Sequence, residues 1–358
     1  MTEILSGILP DWRLSSLVDN IQNNSQVQPA SYEPYVLEEA WEVKAFGSLT
    51  PSIRRENRIR KIKNIKTEDL KKDKIYEIQF AETFSIPPAF FAKVSPKSSI
   101  GRTGTYVLTY TDDGKYINHS PFGYNGKFFA YLQPRSFNIL LEDTKLVQLR
   151  FQTIDAKLKE NELRREWEKE PLLRDLEYNL PIPQSGVEFN LDGLVLKAFV
   201  KEKSVYAPKE NFTSINLMGH NYAEAYWTNP PIINNSLLAK EGVTYILGSM
   251  EGMVTPPYLA AELREYTEAY MSFHQAHIAG FIDPGFGYKH GNSLTFEFTP
   301  YSPMTIRHGQ PLGVIDYFRM LGQPKKIYSG SYANSSKARL GKCFVYKENA
   351  EQTPLDKY

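Results

Sequence analysis

The sequence predicts a mainly β fold laid down twice in tandem, with a short helical connector between the copies. Three observations lead there. First, the 358 residues include 23 Tyr, 20 Phe and 23 Pro, spread through short alternating runs. YEIQF (76–80), TYVLTY (105–110), KFFAYL (127–132), YILGSM (245–250) and SLTFEF (293–298) are examples. Aromatic-rich alternation bounded by Gly, Pro, Asn and Asp marks antiparallel strands of a compact sheet or barrel. Second, the chain repeats itself. Tyr76, Glu82, Pro87, Pro88 and Ala92 recur as Tyr245, Glu251, Pro256, Pro257 and Ala261, at a constant offset of 169. Tyr131, Pro134, Leu146, Leu149 and Phe151 meet Glu297, Pro300, Leu312, Ile315 and Tyr317, at an offset of 166. Third, one stretch breaks the pattern: residues 154–178 are charged and rich in helix formers, interrupted by Pro171. Copies at 1–152 and 181–358, with a connector at 153–180, follow.

Taken in order, the first copy opens with MTEILSGILPDW, which has an acid at Glu3 and no basic lead, unlike a secretory signal. No apolar run reaches about 18 residues, the length needed to span a membrane. A cytoplasmic chain with no membrane partner is expected. The charge balance is flat, 42 Lys+Arg against 41 Asp+Glu for a formal net charge of +1, so no nucleic-acid partner is expected. At 41% hydrophobic and 13% aromatic the composition is not that of a disordered chain, and each half can bury a core. The single cysteine, Cys343, excludes an internal disulfide framework and Cys-x-x-Cys zinc sites. The basic run 53–74 reads as a solvated loop or helix face; few aromatics interleave it, which disfavours nucleic acid.

The first segment that can carry chemistry is Pro96-Lys97-Ser98-Ser99-Ile100-Gly101-Arg102. Backbone N–H groups around a Ser-Ser-Gly turn can converge on an anion. The hydroxyls add donors, and Arg102 adds a planar fork matching phosphate oxygens. A polyphosphate is the natural ligand; an ordinary surface turn is the alternative. The connector then reads as a solvated helix, a break at Pro171, a second short helix and the PIPQSG turn at 181–186. It either bridges the copies or packs on one of them.

In the second copy, His277-Ile-Ala-Gly-Phe-Ile-Asp283-Pro-Gly-Phe-Gly-Tyr288 precedes strand 293–298. Gly285 and its neighbouring glycines permit close backbone approach, and the segment reads as a hairpin arm that lays backbone, with Phe286, against a flat ligand. Asp283 can accept a sugar hydroxyl. Alternation sets Leu294, Phe296 and Phe298 on one face, with Thr295 and Glu297 on the other. Such an acid more often faces solvent; in a pocket it would serve as general base toward a water.

PKSSIGR, GILPD (7–11), QPASYEP (28–34) and HIAGFIDPGFGY together resemble the dCTP deaminases, closest to the two-domain bacterial form, in a superfamily that includes the trimeric dUTPases. The resemblance covers nearly the whole chain. It implies two tandem dUTPase-like domains, each a distorted β-barrel or jelly roll. It implies hydrolytic deamination of dCTP to dUTP and ammonia, feeding pyrimidine deoxynucleotide synthesis. It implies no zinc and no catalytic metal, with Mg²⁺ accompanying the triphosphate. By position, Ser98, Ser99, Gly101 and Arg102 match the phosphate loop, with Lys97 helping Arg102 to offset the triphosphate charge, and Asp283 matches the acid facing the deoxyribose. Glu297 matches the glutamate that activates water at C4, and His277 a histidine before the arm.

The two copies have diverged in complementary ways. Where the second has Glu297, the first has Tyr131; where the first has the Ser-Ser loop, the second has Glu265 and Glu268. One composite site is therefore expected, joining the loop of the first copy to the arm of the second, within one chain or between two. The tail, YSGSYANSSKARLGKCF (328–344), lacks the glutamine that closes related sites. Tyr332 or Tyr328 would supply its aromatic group, and Lys337, Arg339 or Lys342 its cation. A homo-oligomer, favouring a trimer, and dTTP as an effector are further expectations. The competing readings are a dUTP diphosphatase, a bifunctional enzyme, or a non-catalytic nucleotide-binding regulator.

Overall fold

A computed structural model describes residues 6–46, 51–210, 213–266, 274–275, 280–330, 332 and 335–347, with backbone alone at 51–53 and 274–275. Strands dominate, and both copies curl sheets around buried aromatics. The first copy's main sheet runs in the order Arg58–Ile62, Ala40–Val43, Ile75–Gln79, Phe128–Pro134, Thr105–Thr111. The second copy's sheet runs His274–Gln275, Asn292–Pro300, Tyr245–Met253, Gly193–Phe199, Pro311–Arg319, Leu259–Glu265, Phe281–Ile282.

Strand registers reproduce the sequence repeat. Tyr76 pairs with Leu132 and Glu77 with Tyr131; at the matched positions Tyr245 pairs with Phe298 and Ile246 with Glu297. Ala92 pairs with Phe151, as Ala261 does with Tyr317. A one-residue slip would turn every side chain to the other face, so these coincidences fix the alignment of the copies.

Each copy has a core, but the first borrows from the second half of the chain. Phe137 packs 5.6 Å from Tyr226, 5.2 Å from Trp227 and 6.3 Å from Phe344, ring centre to ring centre. Short parallel pairings support this contact: Ile139 with Ile215, and Asn221 with Phe344. The end of the tail is thereby anchored on the first copy.

The helix Glu160–Lys169 packs Leu163 and Trp167, one turn apart, into the second core and leaves its charges outside. The expected second short helix is instead a strand, Leu173–Asp175, pairing with Tyr245–Met253. Pro171 ends the helical ladder, and burial of Leu172 and Leu173 against the sheet favours extension. The basic run at 53–74 is also partly ordered. Arg58–Ile62 is an edge strand whose Arg60 and Lys61 pair with Glu42, Glu68 and Glu39, a device that discourages edge pairing. Among the described residues no helix is long and apolar enough to cross a membrane.

Candidate active site

The site lies where the copies meet. Strand Phe91–Pro96 ends in a single helical turn, Ser98–Gly101. Lys97 N donates to Leu146 O at 2.9 Å, which pins the start of the turn. The Ser99 hydroxyl is buried and has no hydrogen-bond partner among the described residues, so it is free to meet a ligand. Gly101 permits a close approach: a Cβ there would lie 3.0 Å from Glu297 Cδ and 3.1 Å from its Oε2.

Glu297, 1% exposed, comes from strand Asn292–Pro300 of the other copy. Arg102 faces it, with Nε 4.0 Å from Oε1. The guanidinium is held twice more, by Nη1 donating to Arg339 O at 3.0 Å and by its position 3.7 Å over the Tyr332 ring. Glu297 is thus sheltered, against a glycine and beside a cation.

The arm supplies Asp283, whose carboxylate accepts from Ala30 N at 2.9 Å and lies 3.4 Å from the Ser31 hydroxyl. Burial, with the Glu33 charge adding to it, pushes its carboxyl up to about 7 despite those donors and Lys97. Gly285 takes φ +92°, donates to Thr255 O at 3.0 Å, and has no room for a Cβ, which would meet Ile327 Cβ at 2.8 Å. Phe286 is buried edge-on to Tyr328 at 5.3 Å.

Ser99, Arg102, Asp283 and Phe286 line a cavity of about 250 Å³, while Glu297 lies behind its wall, against Gly101 and Arg102, outside the lining. Lys97, Ser98, Ser99 and Arg102 form one wall; Asp283, Phe286 and Thr295 form another; Tyr328, Tyr332 and Lys342 close it. Burial pushes Tyr328 up to about 12 and also raises Tyr332. Lys337 is exposed and lies outside this lining. Lys342 takes the tail-cation position, its backbone N donating to the Tyr332 hydroxyl at 3.0 Å. His277 and Glu268 lie outside the described residues. Among the described residues no group of three or more His, Cys, Asp or Glu side chains is placed to cage a metal.

Sequence reasoning missed three contributors. Gln148 lines the cavity and donates from Nε2 to Phe281 O at 3.0 Å, tying the arm to the first copy; in a strand buried at every residue, periodicity could not single it out. Gln28 and Glu33 also line the cavity, and Glu33 pairs with Lys97. Both lie in QPASYEP, quoted for the resemblance but given no role.

Residues 6–155 match the N-terminal domain, and residues 159–344 the C-terminal domain, of 2'-deoxycytidine 5'-triphosphate deaminase. The chain belongs to that family. It is also similar to the crystal structure of 2'-deoxycytidine 5'-triphosphate deaminase from Agrobacterium tumefaciens, at 25% identity and a TM-score of 0.78, over 89% of this chain and 99% of that one. No curated protein matches the chain. Membership in the family makes the chain a hydrolase that deaminates dCTP to dUTP.

Proposed function

We propose that one composite site, with the phosphate loop from the first copy and the carboxylate from the second, performs this deamination. The observation that carries the reading is the contact between Gly101 and the Glu297 carboxyl group across the boundary between the copies.

The reaction adds water at C4 of the pyrimidine and expels the exocyclic nitrogen as ammonia. Glu297 takes the proton of the attacking water as the C4–O bond forms. It returns that proton to the exocyclic nitrogen as the C4–N bond breaks and ammonia leaves, and the second water proton passes from the new hydroxyl to ring N3 as the C4=O bond forms. One carboxylate can shuttle the proton because it is sheltered from bulk water. Backbone groups of the Gly280–Phe286 arm read the edge of the base, Phe286 and Tyr328 flank it, and Asp283 meets the sugar. His277 completes the sequence-based assignment before the arm.

Ser98, Ser99 and Arg102 hold the triphosphate with Lys97, Lys342 and the Tyr332 hydroxyl; Lys337 keeps an outer place in this reading. Mg²⁺ arrives with the triphosphate and offsets part of its charge. Arg102 then stands between the phosphates and Glu297, coupling the grip to the reacting end. A homotrimer, dTTP as an effector and a cytoplasmic location complete the reading; light scattering and dTTP inhibition kinetics test the first two.

The test is ammonia release from dCTP. Arg102→Ala and Glu297→Gln each abolish it, while Tyr131→Phe leaves it intact. Turnover surviving Glu297→Gln would sink the assignment of the base.

A further inference from the structure

Three cations line the cavity, and a fourth lies beside the phosphate loop. Lys97 and Arg102 come from the loop and Lys342 from the tail. That fourth is Lys145, outside the lining itself and signalled by no motif. The backbone fixes its place: Lys97 N donates to Leu146 O at 2.9 Å, and Val147 pairs with Pro96. Residue 145 therefore sits one step from the phosphate loop.

Its ammonium lies 2.8 Å from the centre of the Tyr35 ring and has no ion-pair partner among the described residues. Its neighbour Asp143 is taken by Lys66 at 2.8 Å, and Glu33 is taken by Lys97. Burial lowers Lys145 to about 8, with Lys97 adding to the effect and Asp143, Glu33 and Glu82 opposing it. Burial also lowers Lys342, and Lys97 and Lys145 add to that. The lysines lie within one another's field, and a half-buried ammonium with carboxylates near it but none paired to it is better stabilised when an anion joins it directly.

We propose that Lys145 is a specificity-determining residue that, with Lys342, grips the terminal phosphate and so selects the triphosphate over the di- and monophosphate. Arg102 and the Ser-Ser turn hold the phosphates nearer the sugar; the lysine pair measures the length of the chain. The inference rests on reading Ser98–Arg102 as the triphosphate cradle.

Ammonia release is measured with dCTP, dCDP and dCMP for wild type, Lys145→Met and Lys145→Arg, the shorter nucleotides serving as competitive inhibitors where they are not turned over. Lys145→Met raises KM for dCTP about tenfold or more at unchanged kcat, the loss of one charge-assisted contact. The constants for dCDP and dCMP stay put, and Lys145→Arg restores the preference. In wild type, KM for dCTP also rises above about pH 8 as Lys145 loses its proton, and Lys145→Arg moves the onset of that rise to higher pH, where Lys342 loses its own proton. The pH comparison decides the matter should Lys145→Met fail to fold. An unchanged dCTP KM in Lys145→Met, an equal loss for all three nucleotides, or identical pH profiles in wild type and Lys145→Arg overturns the inference. A wild-type chain inert toward dCTP would instead overturn the reading of the cradle.

Discussion

Tyr131 and Glu297 stand on the same rung of two equivalent sheets, one opposite Glu77 and the other opposite Ile246. Their surroundings differ completely. Tyr131 is fully buried, 5.1 Å from the Tyr110 ring and edge-on to Phe46 at 5.7 Å. The acid across from it, Glu77, is held by Arg58 at 2.5 Å. The first copy covers this face with its own neighbouring residues, Arg54 lying 4.5 Å over the Phe129 ring. The second copy's face is covered instead by the other copy's glycine turn and Arg102. The strand position alone does not make a site; what the neighbouring copy lays against it does.

A second matched pair makes the same point about charge. Lys93 and Glu262 occupy equivalent positions, at the offset of 169, and touch each other at 2.7 Å. Arg150, 1% exposed, adds a two-pronged contact to Glu262 at 3.0 and 2.5 Å. Burial works against the Glu262 charge, yet Arg150 and Lys93 outweigh it and hold the carboxyl at about 2. Identical copies would set like charge against like here; the differing residues make an ion pair instead.

The sharpest way to break the comparison is to exchange the chemistry of the two rungs. Glu297→Gln lowers kcat for dCTP by about 10³-fold or more, in the range of a lost general base, while Tyr131→Phe changes it less than twofold. Comparable losses in the two variants would end the claim that only one rung is catalytic. Next in size is the clamp. Arg150→Met leaves Glu262 with Lys93 alone and costs about 3 kcal/mol in urea unfolding, as breaking a buried pair does; a loss below about 0.5 kcal/mol would show that the copies are held by other contacts.

Gly101→Ala tests how closely the copies must approach. A methyl group 3.0 Å from the Glu297 carboxyl carbon displaces it, lowering kcat by about 100-fold with folding retained. Full activity would mean that the loop does not need its glycine. The smallest effect is on pH dependence. Asp283 is raised from 3.8 to about 7, so the folded chain keeps a proton that the unfolded chain has lost. That stabilisation is complete below about pH 4 and disappears as pH rises through 7. Between these limits wild-type stability falls with pH, and Asp283→Asn flattens the slope; equal slopes in urea titrations at pH 5 and 7.5 would contradict it.

Local pattern carried much of this into view. The two offsets reappear as strand registers, the Ser-Ser-Gly-Arg turn and the arm meet at one cavity, and Glu297 packs against the turn beside Arg102. What stayed hidden depends on packing across the chain. Nothing in the spacing of the tail tells Lys342 from Lys337, because the choice follows from Phe344 anchoring beside Phe137. Gln148 and Lys145 gain their places from partners far away in sequence. After Pro171, helix formers yield to a strand because a sheet edge was available to Leu173.

The central claim is that one chain holds a whole site, with Arg102 and Glu297 drawn from its own two copies. Co-expressing Arg102→Ala with Glu297→Gln chains and assaying ammonia release tests it directly. Each chain then carries one broken half of its own site, so the mixed protein is expected to be as inactive as either variant alone. Recovery of a substantial fraction of wild-type turnover would show that the loop and the carboxylate come from different chains, and would contradict the account.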